Sequence, residues 1–194
     1  MKSDVLEPGG TYHIFNRGNN GEDIFKEDDN CFYFLRLIKT HLVPACDIYA
    51  YCLLRNHFHL LLRIKEKDEL SIPYQQKPHL PFSNLFNAYT KAVNKKYKRS
   101  GSLFQEHLKR KRVSDEKYLI QLIAYIHLNP VKHGFSEDHK KYRFSSYQAY
   151  SGTKVTSIEK EYIFSLIDKQ VFQEWHNEKK LSTDYLINFL QDQT

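Results

Sequence analysis

The feature that most constrains the fold is a pair of β-prone segments joined by only two residues. Segments 47–54 and 57–64 flank Arg55 and Asn56, and so short a connection predicts an antiparallel hairpin. Successive side chains of a strand point to opposite faces. In the second segment one face is therefore wholly apolar and is expected to pack against helices, whereas the other face carries two histidines: Phe58, Leu60, Leu62 and Ile64 alternate with His57, His59, Leu61 and Arg63.

The rest of the first 150 residues predicts strands and helices in alternation. Ser114 is a plausible N-cap for the last helix of this part, with Asp115 and Glu116 in its first turn, and Pro130 is expected to stop that helix. The order strand, helix, strand, strand, helix, strand, helix favours an α+β domain, with a ferredoxin-like antiparallel sheet and helices on one face. The additional elements are a strand at 11–17, helices at 28–41 and 82–99, a strand-like stretch at 101–113 and a helix at 115–129.

The pattern changes after Ser151 to charged, helix-prone sequence. We therefore divide the chain of 194 residues into a domain at 1–150 and a helical C-terminal extension at 151–194.

Composition narrows the functional class. Three cysteines, Cys31, Cys46 and Cys52, match no zinc-site spacing, and no uncharged stretch approaches the length of a membrane span. A reduced, cytoplasmic protein without a membrane segment is the expectation. The formal charge of +6 favours a polyanionic partner, and the 14 tyrosines include candidates for stacking on unpaired bases.

The two histidines of the hairpin are candidate metal ligands. His57 and His59 lie two residues apart on a strand, so both imidazoles leave the same face and can converge on one ion. The alternative is that they line a polar sheet face without binding a metal.

A second candidate constellation lies at the end of the last helix of the domain. At about 100° per residue, Tyr125 and Asn129 lie about 40° apart in projection and one turn apart along the helix. Their stripe borders the apolar face, so Tyr125 is expected at the edge of the core. Two alternatives stay open: Tyr125 could simply pack its ring, and Asn129 could be no more than the residue that ends a helix before proline.

Basic residues concentrate shortly before this helix, and a run that leads into it predicts contacts to a phosphate backbone. The alternative is a solvated charged face. Near the first strand, the RGNNG segment could add contacts through Arg17 and Asn19. The candidate DNA-binding residues are Arg17, Asn19, Lys91, Lys95, Lys96, Arg99, Lys109, Arg110, Lys111 and Arg112.

Six segments occur in an order known from a protein family: Tyr12-His13, Arg17-Gly18-Asn19, His57-Phe58-His59, Gly101-Ser102-Leu103-Phe104-Gln105, the stretch from Tyr125 to Gly134, and Phe144-Ser145-Ser146-Tyr147. In this order they resemble the single-tyrosine HUH transposases, and among them the REP-associated tyrosine transposases of bacteria. The resemblance spans roughly residues 10 to 150. At Arg55 the chain departs from many relatives, which have proline there.

The resemblance implies a metal-dependent enzyme that cuts and rejoins single-stranded hairpin DNA. It implies that His57, His59 and Asn129 hold Mg²⁺ or Mn²⁺ and that Tyr125 attacks phosphorus to give a 5′-phosphotyrosine intermediate. Relatives act as monomers or as homodimers. Two alternatives remain: a non-catalytic module that binds hairpin DNA or RNA, and a metal-dependent phosphodiesterase in which water attacks.

Overall fold

The computed structural model of the chain describes residues 4–106 and 108–177. The predicted hairpin is present, and it belongs to a four-stranded sheet in which every neighbouring pair is antiparallel. The strands are β1 (Thr11–Arg17), β2 (Cys46–Leu54), β3 (His57–Ile64) and β4 (Lys109–Arg112). Their order across the sheet is β2-β3-β1-β4.

Helices connect and cover these strands. They are α1 (Asp28–Leu37), α2 (Ile72–Gln76), α3 (Leu80–Lys96), α4 (Glu116–Lys132), α5 (Tyr147–Ser151), α6 (Lys160–Leu166) and α7 (Lys169–Asn177). A π-helical turn, Ile38–Leu42, continues α1. The succession β1-α1-β2-β3-α3-β4, with β1 and β3 central, is the ferredoxin-like arrangement predicted from the sequence.

The apolar face of the sheet packs on α1 and α3 as predicted. Phe58 of β3 is fully buried, and its ring lies 5.3 Å from that of Phe34 on α1 and 5.5 Å from that of Phe86 on α3. The sheet differs from the prediction in one respect, because α4 packs on the opposite face, against β2 and β3. That face carries the fully buried Leu61 beside the histidines, so it has an apolar part that needs a cover.

Helix α4 begins and ends differently from the prediction. Asp115, rather than Ser114, is the N-cap, and its carboxylate accepts the backbone N–H of Tyr118 at 2.7 Å. Pro130 lies inside the helix, which ends two residues later at Lys132. Gly134 follows with φ +71°, and the left-handed conformation it adopts turns the chain away. Asn129 therefore keeps a helical position relative to Tyr125.

Residues after α4 cover the outer edge of β2. Ser145 forms an antiparallel bridge with Cys52, and Ile158 forms a parallel bridge with Ile48. The Tyr142 hydroxyl donates to the carbonyl of Leu53 at 2.8 Å. Tyr142, one of the 14 tyrosines considered above for stacking on bases, thus helps to seal the sheet edge.

The predicted C-terminal extension contains α6 and α7 and then continues into 178–194, which lies outside the described residues. Helix α7 packs against α4 through the buried side chains of Phe172 and His176. The Nδ1–H of His176 donates to the Phe172 carbonyl, so Nε2 of His176 accepts the Nδ1–H of His127, with the two nitrogens 2.9 Å apart. The extension is therefore packed on the helix that carries Tyr125.

The expectations from composition can be compared with the structure in two respects. The three cysteines are buried free thiols. Over residues 4–106 and 108–177, no helix has the length and apolar character required to cross a bilayer.

Candidate functional site

Two imidazoles stand side by side on the α4 face of β3. The rings of His57 and His59 are 5.3 Å apart and nearly perpendicular. The Nδ1–H of His57 donates to Oδ1 of Asn56 at 2.7 Å, and Nδ1 of His59 lies 2.9 Å from Nε2 of His13. Because both Nδ1 atoms are engaged, the Nε2 atoms are the nitrogens left for a ligand.

These histidines are neutral at physiological pH. Burial, followed by the proximity of His133 and Arg17, lowers the pKa of His57 to about 4. Burial and the neighbouring His13 hold the pKa of His59 well below its usual range. Burial and Lys111 lower the pKa of His13 to about 3. Neutral imidazole is the form that binds a metal ion, so the environment favours that form before any ion arrives.

Helix α4 brings Tyr125 to the histidine pair. The Tyr125 ring lies 5.8 Å from the His59 ring in an edge-on arrangement, and the side chain is 8% exposed. The ammonium of Lys132 lies over the same ring, 5.0 Å from its centroid. Burial raises the pKa of the Tyr125 phenol, and a hydrogen bond with Asn129 partly opposes that effect. Tyr125 therefore counts among the buried core residues, and it reaches the edge of the core only where it lines the cleft described below.

Asn129 occupies the position one turn beyond Tyr125 that the sequence predicts, but it is fully buried. Its Nδ2 donates to the backbone carbonyl of Tyr125 at 2.9 Å. Its Oδ1 has no hydrogen-bond partner within the described part of the chain. An unpaired buried carbonyl oxygen is costly, and it is also a ligand atom of the kind that hard divalent cations prefer.

A cleft of about 430 Å³ opens where the histidines and the tyrosine meet. Arg17, Lys109 and His133 supply cationic or titratable groups to its wall, and Asn129 does not form part of that wall. The His133 ring lies edge-on to that of His57 at 4.9 Å. The lining residues are Phe15, Asn16, Arg17, Asn56, His57, Phe58, His59, Gln105, Lys109, Tyr125, His133 and Phe135.

The candidate DNA-binding run on β4 is divided between the two faces of the sheet. Lys109 and Lys111 pair with Phe15 and His13, so they share the face of the histidines. Arg110 and Arg112 lie on the other face. There Arg110 donates to the carbonyl of Asp4 at 2.5 Å, and Arg112 pairs with Glu7 at 2.6 Å. Of this run, therefore, only the two lysines point towards the cleft side.

The candidates on α3 and after it also divide into two groups. Lys91 and Lys95 are exposed. Lys96 is paired with Glu27 at 2.5 Å, and Arg99 is paired with Glu22 at 2.7 Å. These two cations are already neutralised within the fold and are weaker candidates for phosphate contacts.

Asn19, the remaining candidate, lies in the turn after β1. Its backbone N–H donates to the carbonyl of Leu103 at 2.9 Å, and its Oδ1 accepts the N–H of Asn20 at 3.1 Å. The turn is thereby tied to the loop before β4. Arg17, two residues earlier, is exposed and lines the cleft directly.

Several residues at the site were not among the predicted site residues, although most of them belong to the segments matched above. His13, Asn56 and Lys132 each contact a predicted site residue, and His133 and Gln105 line the cleft. His13 and Arg17 share a parity on β1 with Phe15, so strand alternation would have placed them together. The other contacts depend on register and on loops that alternation does not determine.

The donor set is compatible with a divalent ion that accepts both nitrogen and oxygen. The two imidazole Nε2 atoms are available at the cleft, the unpaired Oδ1 of Asn129 is a third candidate that does not line it, and Mn²⁺ tolerates such mixed ligands. No group of three or more His, Cys, Asp or Glu side chains suited to a metal occurs in the described ranges. Further ligands would thus have to be water or phosphate oxygens, as is usual for Mg²⁺ and Mn²⁺.

Comparison with known proteins confirms the resemblance seen in the sequence. A curated protein of Haemophilus influenzae named "Putative REP-associated tyrosine transposase" is 35% identical over 107 residues, which cover 50% of this chain and 57% of that protein. The match therefore spans little more than half the length of that relative. No protein-family model matches the chain.

The fold is shared with a solved structure of a REP-associated tyrosine transposase bound to a REP hairpin. The TM-score is 0.60, and the match covers 78% of this chain and 84% of that one at 16% identity. The α+β architecture is thus common to both proteins.

Proposed function

We propose that this chain is a tyrosine transposase that cuts and rejoins single-stranded DNA next to a hairpin. The observation that carries the proposal is the meeting of Tyr125 with His57 and His59 in one open cleft, with the tyrosine ring 5.8 Å from that of His59. A nucleophile and a pair of potential metal ligands on two rigid elements are the parts that phosphodiester transesterification requires.

The metal ligands in this proposal are Nε2 of His57, Nε2 of His59 and Oδ1 of Asn129. A bound Mg²⁺ or Mn²⁺ would polarise a phosphate oxygen and offset the negative charge that develops at phosphorus. The hydrogen bonds of Asn56 with His57 and of His13 with His59 orient the two ligand imidazoles for this purpose.

Tyr125 supplies the nucleophile. Its phenolic oxygen forms a bond to phosphorus while the bond from phosphorus to the 3′-oxygen breaks. The products are a 5′-phosphotyrosine and a free 3′-hydroxyl. Since burial raises the pKa of Tyr125, the phenol is protonated at neutral pH; its proton passes to solvent as the new bond forms, and the departing 3′-oxygen takes up a proton from solvent. The Lys132 ammonium over the ring stabilises the negative charge that then grows on the phenol.

The intermediate conserves the energy of the phosphodiester, so a 3′-hydroxyl can attack it and rejoin a strand without a nucleotide cofactor. Arg17 and Lys109 in the cleft wall would hold the strand through its phosphates. The relative with a solved structure is bound to a REP hairpin, and we propose a DNA hairpin as the ligand of this chain as well.

The test is incubation with labelled single-stranded hairpin DNA and Mn²⁺, followed by denaturing electrophoresis. A protein–DNA adduct that survives SDS is expected for the unmodified chain and for Tyr162→Phe, a control at an exposed tyrosine. Tyr125→Phe should abolish the adduct, and His57→Ala should reduce it by at least about 100-fold. Cleavage without an adduct would indicate a hydrolase in which water attacks, and binding alone would indicate a non-catalytic module.

A further inference from the structure

The segment before β4 pairs with the end of β1. Phe104 forms an antiparallel bridge with Gly18. The N–H of Gln105 donates to the carbonyl of Arg17 at 3.0 Å. The Phe104 ring packs on the apolar face of the sheet, 5.2 Å from the ring of Phe86 on α3. Because successive side chains of an extended chain point to opposite faces, the side chain of Gln105 points to the face of the histidines, where Gln105 lines the cleft.

The backbone of Gln105 is held by the sheet, whereas its side-chain amide is left for a ligand. Its N–H is bonded to Arg17, and its carbonyl accepts Nδ2 of Asn16 at 3.2 Å. Within residues 4–106 and 108–177 the side-chain amide of Gln105 makes no hydrogen bond. A ligand that bonds this amide does not first have to order the backbone, so little affinity is lost to that cost.

The other two side-chain amides in the cleft wall have their oxygens engaged. Oδ1 of Asn16 accepts the backbone N–H of Arg17 at 2.8 Å. Oδ1 of Asn56 accepts the Nδ1–H of His57 at 2.7 Å. Of the amides that line the cleft in the described part of the chain, therefore, only that of Gln105 has both its donor and its acceptor available.

Two aromatic side chains line the same cleft. Phe15 lies on β1 and Phe135 follows α4, so the two come from the sheet and from the loop after the helix. Both residues are half-buried, and aromatic side chains are common platforms for unpaired bases. The cleft volume of about 430 Å³ falls within the range of sites for single small molecules, roughly 300–1,000 Å³. This size suits one unpaired nucleotide.

A cationic group for the phosphate lies beside the amide. Arg17, whose carbonyl accepts the N–H of Gln105, is exposed and lines the cleft together with Lys109. Contacts to phosphate position a strand, but the sequence is read at the edges of the bases. The cleft therefore combines groups for phosphate, rings for stacking and one amide that can distinguish a base.

We propose that Gln105 is a specificity-determining residue that recognises one unpaired adenine of the DNA strand in the cleft. The inference rests on the proposed function and extends it to the base sequence that the site accepts. A glutamine amide offers a donor and an acceptor side by side, and it commonly pairs with N7 and N6–H of adenine. A purine also offers more ring surface than a pyrimidine for stacking on Phe15 and Phe135.

Two substitutions separate recognition of the base from general binding of the strand. Gln105→Glu keeps the shape of the side chain but presents only acceptors, which match the adjacent N1–H and N2–H donors of guanine. Gln105→Met keeps the length without an amide donor or acceptor. Gln76→Glu, at an exposed residue of α2 outside the cleft lining, is the control for the added negative charge.

The experiment uses the full chain and a DNA hairpin flanked on both sides by single strands of random sequence. Binding takes place in EDTA, so that it is measured apart from cleavage, and the retained DNA is sequenced. The unmodified chain and Gln76→Glu should enrich adenine at one unpaired position. At that position Gln105→Met should enrich no base and Gln105→Glu should enrich guanine, whereas preferences at the other positions should be the same in all four proteins.

Fluorescence anisotropy with single sequences gives the size of the effect. Replacement of the adenine by another base should weaken binding to the unmodified chain by about 5- to 100-fold, and binding to Gln105→Met by less than about 3-fold. A preference that moves to guanine in Gln105→Glu cannot result from misfolding, so this variant keeps the test decisive.

The same preferred base in the unmodified chain and in both Gln105 variants would overturn the inference, as would a preference of the unmodified chain for a base other than adenine. Binding of the hairpin without preference at any unpaired position would overturn the inference alone and leave the proposed function standing. Failure of the unmodified chain to bind the probe would overturn both, because the proposed function requires that binding.

Discussion

Asn129 donates its Nδ2 to the backbone carbonyl of Tyr125, one turn back along α4, at 2.9 Å. This bond fixes the side-chain amide and leaves Oδ1 as the atom without a partner within the described residues. The orientation of the proposed third ligand is thereby coupled to the backbone of Tyr125, the proposed nucleophile.

Asn129→Asp tests whether this oxygen faces a cation. Without metal, the variant should be less stable by about 2–4 kcal/mol, because a carboxylate replaces a fully buried amide and loses the donor to the Tyr125 carbonyl. A bound cation offsets that charge, so Mn²⁺ should raise the melting temperature of Asn129→Asp by more than it raises that of the unmodified protein. Calorimetry with and without Mn²⁺ measures the difference, and an equal shift in both proteins would contradict an Oδ1–metal contact.

A single chain should contain a complete site. The ring of Tyr125 lies 5.8 Å from that of His59 in the same chain, so no partner has to supply the tyrosine. Mixing Tyr125→Phe with His57→Ala should therefore not restore cleavage, and specific activity should be independent of protein concentration. The assay uses hairpin DNA and protein concentrations over about a 100-fold range, which is roughly the range over which weak dimers dissociate. Restored activity in the mixture would indicate exchange of the tyrosine helix between chains.

Lys109 and Arg110 form a matched pair for testing the DNA path. They are adjacent on β4 but face opposite sides of the sheet, with Lys109 in the cleft wall and Arg110 bonded to the Asp4 carbonyl. Lys109→Ala should weaken binding to single-stranded DNA and reduce the slope of log K against log salt by about 0.7. Arg110→Ala should leave that slope unchanged. Fluorescence anisotropy titrations between roughly 50 and 300 mM salt, where counterion release is measurable, give the slope for each variant.

The docking of α7 on α4 should weaken in mild acid. Burial lowers the pKa of His176 from 6.5 to about 4; a hydrogen bond to the Phe172 carbonyl opposes this, and the proximity of His139 and Lys140 adds to it. Above pH 6.5 the ring is neutral in both folded and unfolded chains. Between pH 6.5 and about 4 only the unfolded chain gains the proton, so stability is lost as the pH falls.

For His176 alone the loss should be on the order of 2 kcal/mol at pH 5 relative to pH 7.5. Urea unfolding at both pH values measures it. His176→Gln has no proton to gain, so its free energy of unfolding should change less between the two pH values than that of the unmodified protein. The neighbouring His127 retains its own dependence on pH in both proteins, because its pKa also lies well below the usual range. Identical changes in the two proteins would contradict the assignment to His176.

Local periodicity was sufficient to predict the sheet, the histidine face and the place of Tyr125. Alternation along β3 separates His57 and His59 from the apolar side chains, and helical spacing puts Tyr125 beside the buried stripe of α4. The end of α4 was mispredicted for a physical reason. Pro130 removes one helical hydrogen bond, yet α4 continues to Lys132, where contacts such as the bond from the N–H of Phe135 to the Pro130 carbonyl at 2.8 Å hold the end of the helix.

The roles of the basic residues could not be assigned from a run of like charges. Lys96 and Arg99 are paired with Glu27 and Glu22, which lie far earlier in the chain, and such pairing depends on tertiary structure. The contact between His13 and His59 likewise depends on the register between β1 and β3, which alternation alone leaves open.

The covered edge of β2 has a consequence for how the protein can be shortened. Ile158 forms a β-bridge with Ile48, and the N–H of Glu159 donates to the Ile48 carbonyl at 2.9 Å. The first half of β2 is therefore covered by residues that lie beyond the predicted domain boundary at residue 150. A protein truncated at residue 151 would present this stretch of backbone to its neighbours and would be prone to self-association. A fragment that retains Glu159 keeps the cap and is the better choice for expression.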